Sequence, residues 1–189
     1  MSKKNNPEIK FAIDLKTTYR LTENPEFCNG FTLGSHGEYF INRESTKNIQ
    51  YPYSQYLAHY CLGIIYSRNT DVDELKIYKL SELDKISSVI KDLVFFAEEK
   101  WRIASDKSGS GNTANIGSIQ KIDDIINGKG MFYKAGEEIF DDYWKNYRRL
   151  QITKNGHSKG LSSLKDYLEY RGLRVEEFYN PKSPKKGKK

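Results

Sequence analysis

Asp14 and Lys16 are the pair of side chains in this sequence most capable of chemistry. They sit in residues 9–19, which read Ile-Lys-Phe-Ala-Ile-Asp-Leu-Lys-Thr-Thr-Tyr. Phe11, Ile13 and Leu15 alternate with Ala12, Asp14 and Lys16, a pattern that predicts a β-strand. Side chains at i and i+2 share one face of a strand. Asp14 and Lys16 therefore point the same way, and Leu15 is expected to turn into the core. A carboxylate beside an ammonium can hold a divalent metal and position a water for attack on a phosphodiester. A solvated amphipathic strand shows the same Asp-x-Lys spacing, so the pair alone leaves both readings open.

A second stretch, residues 107–118, reads Lys-Ser-Gly-Ser-Gly-Asn-Thr-Ala-Asn-Ile-Gly-Ser. It is small, polar and glycine-rich, and it lies inside the chain. A phosphate-cradling loop would end in Gly-Lys-Ser/Thr, which is absent. A dinucleotide fingerprint fails for want of a third glycine at the right place. What remains is a flexible loop of bare backbone and short amides. Such a loop can enter a DNA groove, where Asn pairs with adenine N6 and N7 and a Thr methyl meets a thymine methyl. An ordinary surface loop is the competing reading. Thr17, Thr18, Lys47 and Asn48 are residue types that position phosphates. His36, His59 and His157 lack metal-ligand spacing and read as structural or surface residues. No Ser-His-Asp or Cys-His arrangement is visible, which argues against a nucleophilic enzyme of that kind.

Several elements must position these groups. Residues 31–37 read as a short strand or turn. Ser54 is placed to cap a short helix running to Tyr60. Residues 62–68 read as a buried strand. Residues 71–84 hold strand or helix pieces. Residues 89–103 are mixed, with strand expected at Val94-Phe95-Phe96 and at Trp101-Arg102-Ile103. Helices are expected over 119–127, 136–150 and 158–170, the middle one with Ile139, Tyr143, Tyr147 and Leu150 on one face. Strands mostly precede helices, which points to α/β or α+β with a mixed sheet.

Composition narrows the class. The chain has 189 residues, 37% hydrophobic and 30% charged, which is enough to bury a core and excludes a fully disordered chain. No run approaches the ~18 apolar residues of a membrane helix. Met1-Ser2-Lys3-Lys4-Asn5-Asn6 is not followed by an apolar run, so no secretory signal is expected. Cys28 and Cys61 read as reduced thiols of a cytoplasmic protein. The net charge is +6, but residues 180–189 carry five lysines and no acid. The basicity is therefore mostly a tail, and charge alone does not establish a nucleic-acid partner.

Taken in order along the chain, these motifs resemble the EcoRV-like type II restriction endonucleases, of the PD-(D/E)XK nuclease class. The likeness begins at Phe11-Ala12-Ile13-Asp14-Leu15-Lys16-Thr17-Thr18-Tyr19. It continues through Phe31-Thr32-Leu33-Gly34, Thr46-Lys47-Asn48-Ile49 and Tyr51-Pro52-Tyr53-Ser54-Gln55-Tyr56-Leu57-Ala58-His59. Lys100-Trp101 follows, then Gly109-Ser110-Gly111-Asn112-Thr113-Ala114-Asn115-Ile116-Gly117-Ser118, and Asp142-Tyr143-Trp144-Lys145-Asn146-Tyr147. The resemblance fades near Tyr170-Arg171-Gly172.

The resemblance implies an α/β fold with a mixed β-sheet core flanked by helices. It places a nuclease domain over residues 1–172, N-terminally incomplete, and the Lys/Pro-rich composition of residues 173–189 reads as a disordered tail. It implies Mg2+-dependent cleavage of double-stranded DNA at a short palindrome, GATATC-like with blunt ends, by a homodimer. Asp14 would be the metal ligand and Lys16 the residue that orients the attacking water. Thr17 and Thr18 would lie near the DNA backbone and Lys47 near a phosphate. Gly109, Ser110, Gly111, Asn112, Thr113 and Asn115 would form the base-reading loop, in which Ala114 departs from a Thr.

Other departures are larger. The family carries a second Asp on the strand before the catalytic one, and that position falls before Met1. Glu8 is no substitute, because six residues along one strand put it about 20 Å from Asp14 at ~3.3 Å per residue. The segment from Leu33 to Glu44 is longer than in the family, and the Lys-rich tail has no counterpart. The alternative expectation is a truncated, inactive remnant that at most binds DNA. Loss of the preceding strand is expected to leave an unpaired sheet edge along residues 11–19.

Overall fold

Strict alternation makes the first strand. In a computed structural model of the chain, β1 (Lys10–Tyr19) changes exposure residue by residue, the period of two that a sheet imposes. The structure describes residues 9–37, 41–46, 48–72, 75–109, 112–154 and 156–179, with the backbone alone for Asn112. A loop then leads to β2 (Thr32–Ser35). A 3-10 turn at Tyr53–Gln55 feeds β3 (Tyr56–Arg68), and β4 (Ile90–Glu99) follows. The helix expected from Ser54 to Tyr60 is therefore one short turn. From Tyr56 onward the backbone pairs with β1, and sheet pairing overrides the local capping signal.

These strands form one mixed sheet in the order β1-β3-β4. β1 runs parallel to β3, and β4 runs antiparallel to β3. Register puts Asp14 opposite Cys61, Lys16 opposite Gly63 and Thr18 opposite Ile65. That face turns toward the interior, where Cys61, Ile65 and Phe96 are buried. The opposite face pairs Ile13 with Tyr60, Leu15 with Leu62 and Thr17 with Ile64. Here the structure corrects the expectation for Leu15, which is 63% exposed, beside Ile13 at 69% and Phe95 at 63%. Alternation was read correctly, but the core lies on the Asp14 side and no described element covers the apolar side. β1 is also an edge strand among the described residues, as expected.

β4 ends in one helical turn, α1 (Lys100–Ile103), so Trp101-Arg102-Ile103 is helical rather than extended. The turn redirects the chain out of the first sheet and buries Ile103 fully. The glycine-rich stretch is not a plain loop. It is a hairpin of β5 (Ala104–Gly109) and β6 (Asn112–Ser118), joined to β2 in the order β2-β6-β5. Gly117 permits this pairing, because a Cβ there would sit 2.9 Å from the Lys107 carbonyl oxygen.

The remaining elements are α2 (Ile122–Ile126), α3 (Glu137–Asn146), the hairpin β7 (Gln151–Lys154) with β8 (His157–Gly160), α4 (Leu164–Tyr170) and α5 (Val175–Phe178). The helix expected over 158–170 starts only at Leu164. Ser163 caps it by accepting from the Asp166 N–H at 3.1 Å, while residues 158–160 are taken by β8. Tyr143 meets Trp144 and Tyr167 edge to face, forming an aromatic centre between α3 and α4. Buried Asp106 ties β5 to that centre, accepting from the Leu164 N–H through its carboxylate and from the Tyr143 hydroxyl through its carbonyl. Leu173, Val175, Phe178 and Tyr179 also pack on the core. Order therefore extends past residue 172, and residues 180–189 lie outside the described part.

Gly63 leaves the space beneath Lys16 that the Phe96 ring fills. A Cβ at this position would fall 2.1 Å from Phe96 Cε1 and Cζ. Gly63→Ala is expected to cost about 1–3 kcal/mol by overpacking. Urea unfolding measures it, and a change under about 0.5 kcal/mol, the size of an ordinary surface substitution, would contradict the packing described.

Candidate active site

The inward face of β1 opens into a cavity of about 430 Å³. Asp14, Lys16, His59 and Lys100 line one wall, and Gly34, Ser35, Asn48 and Asn115 line another. The first group comes from the mixed sheet and α1. Asn115 comes from the β5–β6 hairpin, which the second sheet holds against the first. Sequence-distant groups thus converge through the meeting of two sheets.

Asp14 is the electrostatic centre. Its Oδ2 accepts from Lys100 Nζ at 2.9 Å and lies 3.2 Å from Lys16 Nζ. Lys100 is the more enclosed of the two ammoniums, 18% exposed against 30% for Lys16. Lys100 is the residue that the residue-by-residue reading missed as a partner of Asp14. The two are 86 positions apart, and nothing local marks a lysine at the end of a strand as reaching another strand's carboxylate.

The other expected site residues divide. Thr18 shares the Asp14 face and is buried, 5% exposed. Thr17 stands on the opposite face, with Leu15 and Ile64. Gly109 and Asn112 pair at the end of the hairpin. Thr113 is exposed, and its carbonyl accepts from His36 Nε2 at 3.2 Å. Asn115 is in register with Ser35 on β2. Lys47, Ser110, Gly111 and the Asn112 side chain lie outside the described residues, as does Glu8.

His59 and His36 are held by packing, while His157 is exposed on β8. His59 stacks on Tyr53 with ring centroids 3.9 Å apart, and its buried Nε2 has no hydrogen-bond partner. Burial and the nearby Lys100 charge push its pKa down to about 4, while a hydrogen bond to the Tyr53 backbone pulls weakly the other way. His36 packs on Trp144 and Tyr147 beneath the hairpin, and burial lowers its pKa too. Cys61, beside Asp14 in register, is pushed up to about 12 by burial. It is an inert thiol, and Cys28 is likewise free and buried.

Among the described residues, no three His, Cys, Asp or Glu side chains converge on one point. Mg2+ is commonly bound through one or two carboxylates, with substrate phosphates and waters completing its shell. Asp14 fits as one such carboxylate, facing a cavity large enough for a phosphate.

A mixed sheet that presents Asp-x-Lys to a cleft walled by a glycine-rich hairpin is the architecture of a restriction-endonuclease-like nuclease. Residues 1–172 match the family model described as restriction endonuclease EcoRV. The chain is 42% identical over 172 residues to the type II restriction enzyme EcoRV of Escherichia coli, a match covering 90% of this chain and 67% of that enzyme. The chain belongs to the EcoRV restriction endonuclease family, whose members are site-specific deoxyribonucleases and in general metal-dependent. Among the described residues, no helix is long and apolar enough to cross a membrane.

The His59 environment carries a pH signature. The folded imidazole stays neutral down to about pH 4, against an ordinary value of 6.5. Below pH ~6.5 the unfolded chain takes up a proton that the folded chain refuses, so stability falls between these two values. The expected NMR midpoint for His59 is near 4, and His59→Phe should flatten the loss of unfolding free energy over that range. A midpoint near 6.5 would contradict the burial described.

Proposed function

We propose that this cleft hydrolyses one phosphodiester bond in each strand of double-stranded DNA at a short palindrome, GATATC-like, leaving blunt ends. The metal is Mg2+, the acting species is a homodimer, and the compartment is the cytoplasm. The observation that carries this reading is the placement of Asp14 and Lys16, 3.2 Å apart, in the same cavity as Asn115 of the hairpin. Family membership supplies the substrate class. A palindrome has two-fold symmetry, and a two-fold dimer reads it by presenting the same hairpin to each half-site.

The chain's own residues divide the work. Asp14 would hold the metal through its carboxylate. Mg2+, when bound, supplies Lewis acidity at the scissile phosphate and lowers the pKa of water. Lys16 aims its ammonium at the same point, where it orients the attacking water and offsets charge developing on the phosphate. The oxygen attacks in line and the bond to the 3′-oxygen breaks, leaving a 5′-phosphate and a 3′-hydroxyl. Gly109, Ser110, Gly111, Asn112, Thr113 and Asn115 carry the base-reading hairpin. Lys47 serves the DNA backbone, whereas Thr17 faces away from the cleft and Thr18 is buried in its wall, so the contacts expected of these two threonines do not carry over.

The test is cleavage of a plasmid bearing GATATC with Mg2+, with mapping of the product ends. Asp14→Ala and Lys16→Ala are each expected to lose about 10²-fold or more in rate while retaining specific binding to the duplex. Full cutting by Asp14→Ala would overturn the assigned site. Specific binding without any cutting by the unmodified chain would favour the binding-only remnant. That second reading draws on a specific feature, one carboxylate facing two ammoniums.

The hairpin assignment has its own check. Asn112→Ala is expected to lose about 1–3 kcal/mol of discrimination at one adenine of the site. Competition binding against single-base variants measures it, and an unchanged base preference would contradict the assignment.

A further inference from the structure

Asp14 is bound by two cations, and only one of them has a role in the chemistry proposed above. Lys16 has its place at the water and the phosphate. Lys100 arrives from a different element, α1, makes the shorter contact at 2.9 Å and is the more enclosed ammonium. Both contacts fall on the same oxygen, Oδ2. A divalent ion that takes Asp14 as a ligand approaches a carboxylate whose charge is already more than balanced. It meets a positive charge, the 18% exposed Lys100 ammonium, that contacts the same carboxylate oxygen.

We propose that Lys100 is a positioning residue that occupies Asp14 in the metal-free protein and is displaced when a divalent cation binds. The proposal rests on Asp14 being the metal ligand. Lys100 holds the carboxylate pointed into the cavity, so that the lone acid does not rotate away or attract a stray cation. It also weakens metal binding in the absence of DNA. A DNA phosphate delivered to the cleft supplies two things that the free protein lacks, further oxygen ligands for the metal and an anion for the released ammonium. Metal uptake is thereby tied to substrate binding. Lys100 touches Asp14 and acts through it.

The probe is Mn2+ alone, titrated into the full chain without DNA, with free ion followed by its electron paramagnetic resonance signal. Lys100→Met keeps an unbranched chain of similar length and removes the charge. It is expected to bind Mn2+ roughly tenfold more tightly than the unmodified chain, because a unit charge beside the ion is gone. Lys100→Arg keeps the charge and is expected to match the unmodified chain. Lys100→Gln, a second neutral variant, is expected to follow Lys100→Met, and thermal unfolding verifies that each variant is folded.

A merely structural lysine would lower the thermal midpoint and leave Mn2+ affinity alone. Affinity in Lys100→Met and Lys100→Gln equal to or weaker than that of the unmodified chain overturns the proposal, including the case where none binds detectably. Asp14→Ala separates the two levels. If it abolishes Mn2+ binding while the Lys100 variants change nothing, the Lys100 role falls and Asp14 stands as the ligand. If Asp14→Ala binds Mn2+ as tightly as the unmodified chain, the Asp14 assignment itself falls.

Discussion

One carboxylate held between two ammoniums organises this structure's chemistry. Asp14 can meet Lys16 because a strand returns to the same face every second residue. It can meet Lys100 because β3 lies between β1 and β4 in one sheet, so the end of β4 and its helical turn come within reach of β1. The parallel pairing of β1 with β3 fixes the height of Asp14 against Cys61, and Gly63 with Phe96 forms the floor beside Lys16. A shift of one residue in that register would turn Asp14 to the solvent side and Leu15 to the cavity. The site is a consequence of register more than of any loop.

The second sheet provides the other wall. β2 holds β6 in place, and β6 pairs back on β5 through a point where only glycine fits. Small polar residues that read as a loose loop are therefore carried on a supported hairpin. Such support matters for a group that must present short amides to a groove, since ordering a free loop at the moment of binding costs about 1–2 kcal/mol for each backbone residue fixed. His36, packed on Trp144 and Tyr147, adds a hydrogen bond from below to the Thr113 carbonyl.

How much of this was legible in the sequence depends on the range of the interaction. The β1 strand and the shared face of Asp14 and Lys16 follow from local periodicity, and the structure bears them out, while the helix expected over 136–150 stops at Asn146, so Tyr147 and Leu150 lie beyond α3. The family likeness was carried by several motifs in order, which is why it identified the fold. Local readings failed where tertiary contacts decide, and three cases show how. Residues 56–60 are strand because β1 pairs with them. Residues 101–103 turn helical because the chain must leave one sheet for another. Leu15 is exposed because periodicity tells which residues share a face but not which face is covered. Lys100 was invisible as a partner of Asp14 for the same reason. The apolar side of β1 to β4 leaves Ile13, Leu15 and Phe95 open, with β1 at the edge of the described sheet.

The central claim is that Asp14 is the carboxylate that holds the metal against the scissile phosphate. Anomalous diffraction from a crystal of the chain with a GATATC duplex and Mn2+ tests it most directly. The account predicts an anomalous peak within coordination distance of an Asp14 oxygen, next to a DNA phosphate. A peak elsewhere in the cleft, with Asp14 still held by Lys16 and Lys100, would contradict it.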